Sequence, residues 1–117
     1  MSAFLQIERD GGIVTVRMNH PETRNALTSP EQIQEFVDLC AQLRSDRTAR
    51  VMVLTGNGSA FCAGGNVKDM RDREGIFAGS PYELRNTYRD GIQRIPLALY
   101  ELDIPIIAAV NGPAIGA

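Results

Sequence analysis

The sequence predicts an α/β fold, in which strands and helices alternate along the chain. Three observations predict it: two β-rich runs flank a Gly-Gly turn, two segments begin with helix-capping patterns, and two short apolar runs each lead into a glycine-rich loop. Short apolar runs of this kind are typical of buried strands that helices cover. The predicted order of elements is therefore ββ, α, β, loop, α, β.

The first predicted unit is a β-hairpin. Residues 4–9 and 13–18 are rich in β-forming residues, and Asp10-Gly11-Gly12 between them is a turn signal. Pro21 then ends the β pattern, because proline donates no backbone hydrogen bond and restrains the residue before it.

A helix is predicted to begin after Ser29. Ser29 can cap the helix, Pro30 fits the first helical position, and Gln32 completes a capping box. Apolar residues then recur at helical spacing, which predicts one buried face. They are Ile33, Phe36, Val37, Cys40 and Leu43. Cys40 is therefore interpreted as a small core residue.

The remainder of the chain is predicted as two buried strands and an interrupted helix. The strands are expected at residues 50–55 and 106–110. Residues 80–83 form a second capping box, and a helical apolar stripe follows over residues 84–102. Pro96 interrupts this stripe, so a kink or break is expected near Gly91–Pro96.

Composition excludes several classes of protein. The 117 residues are 44% apolar and 22% charged, which is typical of one soluble globular domain. The net charge of −2 argues against a nucleic-acid surface. No apolar run approaches the roughly 20 residues that span a bilayer, and the N-terminus lacks the features of a signal peptide. Cys40, Cys62 and His20 are isolated in the sequence, so we expect no metal site and no disulfide, as in a cytoplasmic protein with reduced thiols.

The glycine-rich loop at residues 56–66 is the segment that most strongly indicates function. Its glycines allow the backbone to reach positive φ and approach a ligand closely, and free N–H groups at a helix start attract an anion. A nucleotide P-loop needs Gly-Lys-Ser/Thr, whereas Gly64-Gly65 is followed by Asn66-Val67. A dinucleotide fingerprint needs a small residue where Phe61 stands. An oxyanion hole, which requires only correctly aimed N–H groups, fits the loop.

Three segments of the chain resemble the motifs of one family. Phe61–Met70 follows the pattern Phe-x-Ala-Gly-x-Asp-hydrophobic-Lys-x-Met, with Asn66 in place of Asp. Met18–Leu27 follows Asn-x-Pro…Asn-Ala-Leu, and Pro105–Ala117 follows Pro-hydrophobic-Ile-Ala-Ala-Val-Asn-Gly-x-Ala-x-Gly. In this order they closely resemble the enoyl-CoA hydratase/isomerase (crotonase) superfamily. The resemblance covers essentially the whole chain and implies a spiral of ββα units around nearly perpendicular sheets.

The resemblance also implies roles for particular residues. The N–H groups of Gly65 and Ala117 would point at the thioester oxygen of an acyl-CoA and stabilise the enolate formed there. The coenzyme A groove would be lined by Arg24, Asn25, Ala26, Ala63, Asn66, Val67 and Lys68, with Arg24 a candidate for the phosphates. For Arg24 and Lys68 an equally good interpretation is a solvated surface charge. Asn66 caps a helix about as well as the family's Asp, but lacks its charge.

Residues 1–117 are expected to be the N-terminal part of a crotonase-like domain. Family hydratases use two glutamates that follow the second donor segment, and a helical trimerisation region follows them. Neither is expected within this chain, so these 117 residues alone should be inactive. Asp69, Glu74 and Glu83 are interpreted as a first-turn helix residue and two surface residues.

The function that the resemblance implies most directly is enoyl-CoA hydratase, which adds water to a 2-enoyl-CoA in fatty-acid oxidation or related catabolism. Coenzyme A would belong to the substrate, and no separate cofactor is expected. A homotrimer or dimer of trimers is implied. The alternatives are enoyl-CoA isomerase, decarboxylase, dehalogenase or thioester hydrolase, which share the oxyanion hole. A non-catalytic fragment, or an acyl-CoA-binding or RNA-associated relative, is the alternative of a different class.

Overall fold

The computed structural model describes residues 3–117, which form one four-stranded sheet with helices packed against it. Strand β1 (Leu5–Asp10) pairs antiparallel with β2 (Ile13–Met18) across the two-residue Gly-Gly turn. Strand β3 (Val51–Gly56) pairs parallel with β2, and β4 (Ile106–Ala108) pairs parallel with β3 at the edge of the sheet. The predicted hairpin and the predicted α/β order are confirmed.

Four helices connect and cover the strands. They are α1 (Pro30–Ser45), α2 (Val67–Asp72), α3 (Pro81–Asp90) and α4 (Arg94–Tyr100), with 3₁₀ turns at Pro21–Thr23 and Gly75–Phe77. Among the described residues, the helices are all too short or too polar to cross a membrane.

Helix α1 supplies one side of the hydrophobic core. Its capping box is present as predicted: the Ser29 side chain accepts from the Gln32 N–H, and the Gln32 side chain accepts from the Ser29 N–H. The predicted apolar face is buried except for Val37, which is partly buried, and Leu39 is a further buried member that the prediction missed. Cys40 is 1% exposed, which confirms it as a core residue.

The predicted break in the second helical stripe is confirmed, but its position follows from glycine rather than proline. Helix α3 ends at Asp90 with Gly91 as its C-cap, and α4 begins at Arg94. Pro96 is the third residue of α4. The first four N–H groups of a helix have no acceptor within it, so proline there removes no helical hydrogen bond.

The two later strands differ from their predictions. Strand β3 runs over Val51–Gly56 rather than 50–55, and only Met52 and Leu54 are buried along it. Strand β4 ends at Ala108, and Ile107 is 55% exposed, so the prediction of a buried strand at 106–110 is wrong for this structure. The described residues form one sheet plus an isolated parallel bridge between Cys62 and Ala114, and the perpendicular second sheet stays an expectation.

Candidate active site

Three chain segments run side by side at one end of the sheet, and most of the predicted site residues lie on them. The middle segment, residues 61–65, is bonded to residues 24–27 on one side. There the Ala63 N–H donates to the Arg24 carbonyl at 2.9 Å, and the Leu27 N–H donates to the Gly64 carbonyl at 2.8 Å. The loop that follows β2 is thereby attached to the loop that follows β3.

The other side of the middle segment is bonded to residues 113–117. The Phe61 N–H donates to the Pro113 carbonyl at 3.0 Å, and the Ile115 N–H donates to the Cys62 carbonyl at 2.9 Å. These bonds bring the second predicted donor segment next to the first, although about fifty residues separate them in the sequence.

Gly64 allows this close approach. Its φ is +81°, and a Cβ atom built on it would lie 2.4 Å from the Ile115 carbonyl oxygen. Any side chain at position 64 would therefore be strained by the left-handed backbone conformation. It would also clash with a backbone atom of the neighbouring segment.

The Gly65 N–H points away from residues 24–27. The peptide between Gly64 and Gly65 is trans, so its carbonyl and its N–H point in opposite directions. Since the Leu27 N–H binds the Gly64 carbonyl, the Gly65 N–H faces the opposite side. Within residues 3–117, no protein acceptor takes the N–H of Gly65 or of Ala117.

Gly65 and Ala117 line the same apolar cavity, which we call the thioester cavity after the substrate group that the resemblance implies there. It has a volume of about 370 Å³. Its other lining residues are Leu27, Met70, Ile76, Phe77, Tyr88, Ile92, Gln93, Ile95, Pro96 and Gly116. The structure thus brings the two predicted donor residues together at one surface, in surroundings of low polarity.

Asn25 is a buried link between the loops. It is fully buried, at 0% exposure, in the left-handed region with φ of 59°. Its Oδ1 accepts from the His20 N–H at 2.8 Å. Its Nδ2 lies 3.1 Å from the carbonyl oxygens of Asn57 and Ala60 and 3.3 Å from that of Phe61. Asn25 is therefore buried and holds the 56–61 loop, while its contact with coenzyme A stays a prediction.

Replacing Asn25 with alanine is expected to lower the free energy of unfolding by about 2–4 kcal/mol, because several buried backbone groups lose their partner. Urea unfolding measures this, with the exposed amide variant Gln34→Ala as a control expected within about 0.5 kcal/mol of wild type. Asn25→Asp is expected to be more stable in acid than at neutral pH, since a carboxylate would repel the three carbonyl oxygens, whereas a protonated carboxyl can donate its one hydrogen to one of them. Equal stability of Asn25→Ala and wild type would contradict this role.

Cys62 lies at the centre of the three segments. Its thiol donates to the Asn25 carbonyl at 3.3 Å and accepts from the Gly64 N–H at 3.4 Å. Burial raises the pKa of the Cys62 thiol, and the hydrogen bond from Gly64 lowers it by less. A raised pKa favours the protonated thiol, whose two hydrogen bonds join the backbone at Asn25 and Gly64.

The family of this chain follows from comparison with known proteins. The family model described as "Enoyl-CoA hydratase/isomerase" matches residues 8–117. The chain belongs to this family. The prediction of a crotonase superfamily member with the corresponding fold is therefore confirmed.

Individual relatives agree with the family match. A probable enoyl-CoA hydratase of Mycobacterium leprae is 35% identical over 116 residues, which cover 97% of this chain and 42% of that protein. The crystal structure of an enoyl-CoA hydratase/isomerase from Mycobacterium paratuberculosis has 32% identity and a TM-score of 0.75, covering 97% of this chain and 43% of its own. An enoyl-CoA isomerase from M. smegmatis has 28% identity and a TM-score of 0.68, covering 95% and 42%. The chain thus spans less than half the length of these relatives.

The other residues predicted from the crotonase resemblance lie at the surface or just beneath it. A separate surface depression of about 340 Å³ is lined by Arg24 and Ala63. Its other lining residues are Ser59, Ala60, Pro113 and Ile115. Ala26 is 9% exposed and lies beneath that surface.

Helix α2 carries the remaining predicted contacts. The Asn66 side chain accepts from the Asp69 N–H at 3.1 Å, which confirms that asparagine caps this helix. Val67 is 74% exposed, and Lys68 is also exposed. Helix α2 has only six residues, so its dipole is small, and the N–H groups of Gly65 and Ala117 belong to loop backbone outside it.

The carboxylates of the described residues do not line the thioester cavity. Asp69 lies in the first turn of α2, and Glu74 and Glu83 are exposed, as predicted. Glu83 accepts from the Ser80 N–H in the second capping box, and this hydrogen bond and that of the Ser80 side chain lower the pKa of Glu83. Among residues 3–117, no cluster of side chains suited to a metal ion is present.

Proposed function

We propose that the protein is an acyl-CoA enzyme that holds the thioester oxygen of its substrate between the N–H groups of Gly65 and Ala117, and that its reaction is the hydration of a 2-enoyl-CoA. The observation that carries this proposal is that both residues line one apolar cavity, with the Gly65 N–H turned away from its neighbouring segment. The names of the relatives, which include hydratases, support the reaction type.

The two donors would act on charge that forms during the reaction. When water adds at C3 of the enoyl group, one of its protons passes to a base, the electron pair of the double bond moves toward the carbonyl, and an enolate oxygen results. A proton then adds at C2, and the carbonyl is restored. Fixed N–H groups bind the charged oxygen more strongly than the neutral carbonyl, and each donor of this kind typically lowers the barrier by about 2.7–4 kcal/mol. The apolar lining strengthens this interaction by excluding water.

Coenzyme A would run along the surface on the other side of the 61–65 segment. The depression next to Arg24 and Ala63 is the part of this surface that the structure describes, and the Arg24 guanidinium is suited to a phosphate. Backbone groups of Asn66, Val67 and Lys68 would contact the pantetheine and adenine. Asn25 and Ala26 would support this surface from beneath.

Among residues 3–117, no carboxylate lines the thioester cavity to transfer protons. The described lining side chains with polar hydrogens are those of Tyr88 and Gln93. Family hydratases use two glutamates that follow the second donor segment, and we propose the same arrangement for the full-length protein. We further propose a cytoplasmic homotrimer or dimer of trimers, on the same resemblance.

Enoyl-CoA isomerisation is the second candidate. It is favoured by the likeness to the solved isomerase, with 28% identity and a TM-score of 0.68. Both reactions pass through a thioester enolate, so the same two donors serve either one. The reactions differ in whether water is added across the double bond or a proton is moved from one carbon of the chain to another.

The full-length protein is expected to convert crotonyl-CoA to 3-hydroxybutyryl-CoA, and the loss of the conjugated thioester absorbance measures the rate. Chromatography of the products from a longer 2-enoyl-CoA distinguishes a 3-hydroxyacyl-CoA from a 3-enoyl-CoA, which would identify an isomerase. The isolated 117-residue chain is expected to hydrate crotonyl-CoA no faster than buffer. Catalysis by the isolated chain would show that the acid and base lie within it, and inactivity of the full-length protein on all enoyl-CoA substrates would overturn the proposal.

A further inference from the structure

Two cavities of the structure share a wall made of two isoleucines. The thioester cavity and a second cavity each have a volume of about 370 Å³. Ile76 and Ile92 line both of them. The other residues around the second cavity are Pro30, Ile33, Asn86, Thr87, Asp90, Gly91 and Arg94. The two isoleucines therefore separate adjoining spaces.

The wall is held in place by aromatic packing. Ile76 belongs to the 3₁₀ turn Gly75–Phe77, and Ile92 lies between α3 and α4. The Phe77 ring packs against Tyr88 edge to face, with ring centroids 6.1 Å apart. This contact attaches the turn that carries Ile76 to the helix that precedes Ile92.

The two cavities differ in chemistry. The thioester cavity is surrounded mainly by apolar side chains such as Leu27, Met70 and Phe77. Beyond the wall, the lining of the second cavity includes the charged residues Asp90 and Arg94. An alkyl chain that starts at Gly65 therefore gains apolar contact up to the wall, while its continuation is blocked by the two side chains.

We propose that Ile76 and Ile92 set the upper length of the acyl chain, and that the second cavity becomes available to longer chains when the wall is shortened. This inference rests on the proposed function, since it takes the acyl-CoA thioester to lie at Gly65 and Ala117. Ile76 is the better residue to substitute, because Ile92 also packs against the hydrophobic core.

The test is the affinity of the full-length protein for saturated acyl-CoA thioesters from butyryl- to dodecanoyl-CoA, measured by calorimetry. In the wild type, each added methylene is expected to tighten binding about fourfold until the chain reaches the wall, and to add nothing beyond it. Ile76→Ala is expected to move this limit to longer chains. Ile76→Phe, which enlarges the wall, is expected to move it to shorter ones.

Ile7→Ala is the matched control, because Ile7 is 48% exposed on β1 and lines neither cavity. Its chain-length limit is expected to equal that of the wild type. If both Ile76 variants bind acyl-CoA with the wild-type limit, the inference is wrong while the proposed function stands. If the wild type binds no acyl-CoA of any length, the proposed function fails and this inference fails with it.

Discussion

Replacing Gly65 with proline is expected to lower kcat of the full-length protein on crotonyl-CoA by about 10²–10³-fold, with a much smaller change in KM. Proline has no N–H, so the variant loses one of the two proposed donors to the enolate oxygen. The neutral carbonyl of the bound substrate depends less on that donor than the charged intermediate does, which is why the effect is expected in kcat. Steady-state kinetics of the two proteins measure both parameters.

Gly65→Ala is the control that keeps the N–H. The Gly65 backbone does not lie in the left-handed region, so alanine can adopt it. The new Cβ would lie 2.8 Å from Cε of Met70 and 3.1 Å from Cζ of Phe77, and the Met70 side chain ends in a flexible methyl group that can move. We expect a loss of about tenfold or less in this variant. Undiminished turnover by Gly65→Pro, in a protein whose circular dichroism matches the wild type, would remove Gly65 from the mechanism.

Sequence reasoning succeeded where all the interacting groups lie within a few residues of one another. The capping boxes at Ser29 and Ser80 each involve a side chain and a backbone group three residues apart, so local sequence specifies them completely. The apolar face of α1 was predictable for the same reason, because helical periodicity alone places its side chains on one side.

Sequence reasoning was less successful where the fold joins distant segments. The three carbonyl partners of Asn25 are 32 to 36 residues away in the chain, and no local pattern relates them. The motif identified Asn25 as a site residue but did not distinguish contact with coenzyme A from support of the loop. Burial is the property that separates these roles, and it depends on the packing of the complete loop. An asparagine followed by Ala-Leu after a turn was the available signal, since asparagine tolerates the left-handed conformation seen there.

The thioester cavity presents the same difficulty. Leu27, Phe77 and Ile92 come from three separate segments, and each reads in the sequence as an ordinary apolar residue. The exposure of β4 could not be predicted either, because its apolar sequence is typical of a covered strand, whereas Ile107 is 55% exposed in the described structure.

Replacing Gly64 with alanine is expected to displace both proposed donors, because the new methyl group would push apart the two backbone segments that carry them. The new Cβ would lie 2.4 Å from the Ile115 carbonyl oxygen, which is a backbone atom and cannot rotate away. The 113–117 segment must then move relative to the 61–65 segment, and displacements of about 1 Å in a catalytic group can cost about 10²-fold in rate. We therefore expect kcat/KM on crotonyl-CoA to fall by at least about 10²-fold.

The same substitution should lower the free energy of unfolding by two separable contributions. Alanine at φ of +81° costs about 1–2 kcal/mol, and the steric overlap adds about 1–3 kcal/mol. Gly11→Ala isolates the first contribution, because Gly11 has φ of +58° and its Cβ would meet no atom within 4 Å. Urea unfolding of both variants should show the larger loss for Gly64→Ala, and only that variant should lose turnover. Equal losses of stability would mean that the two segments separate without cost, and the close contact between them could then not be what holds Ala117 beside Gly65.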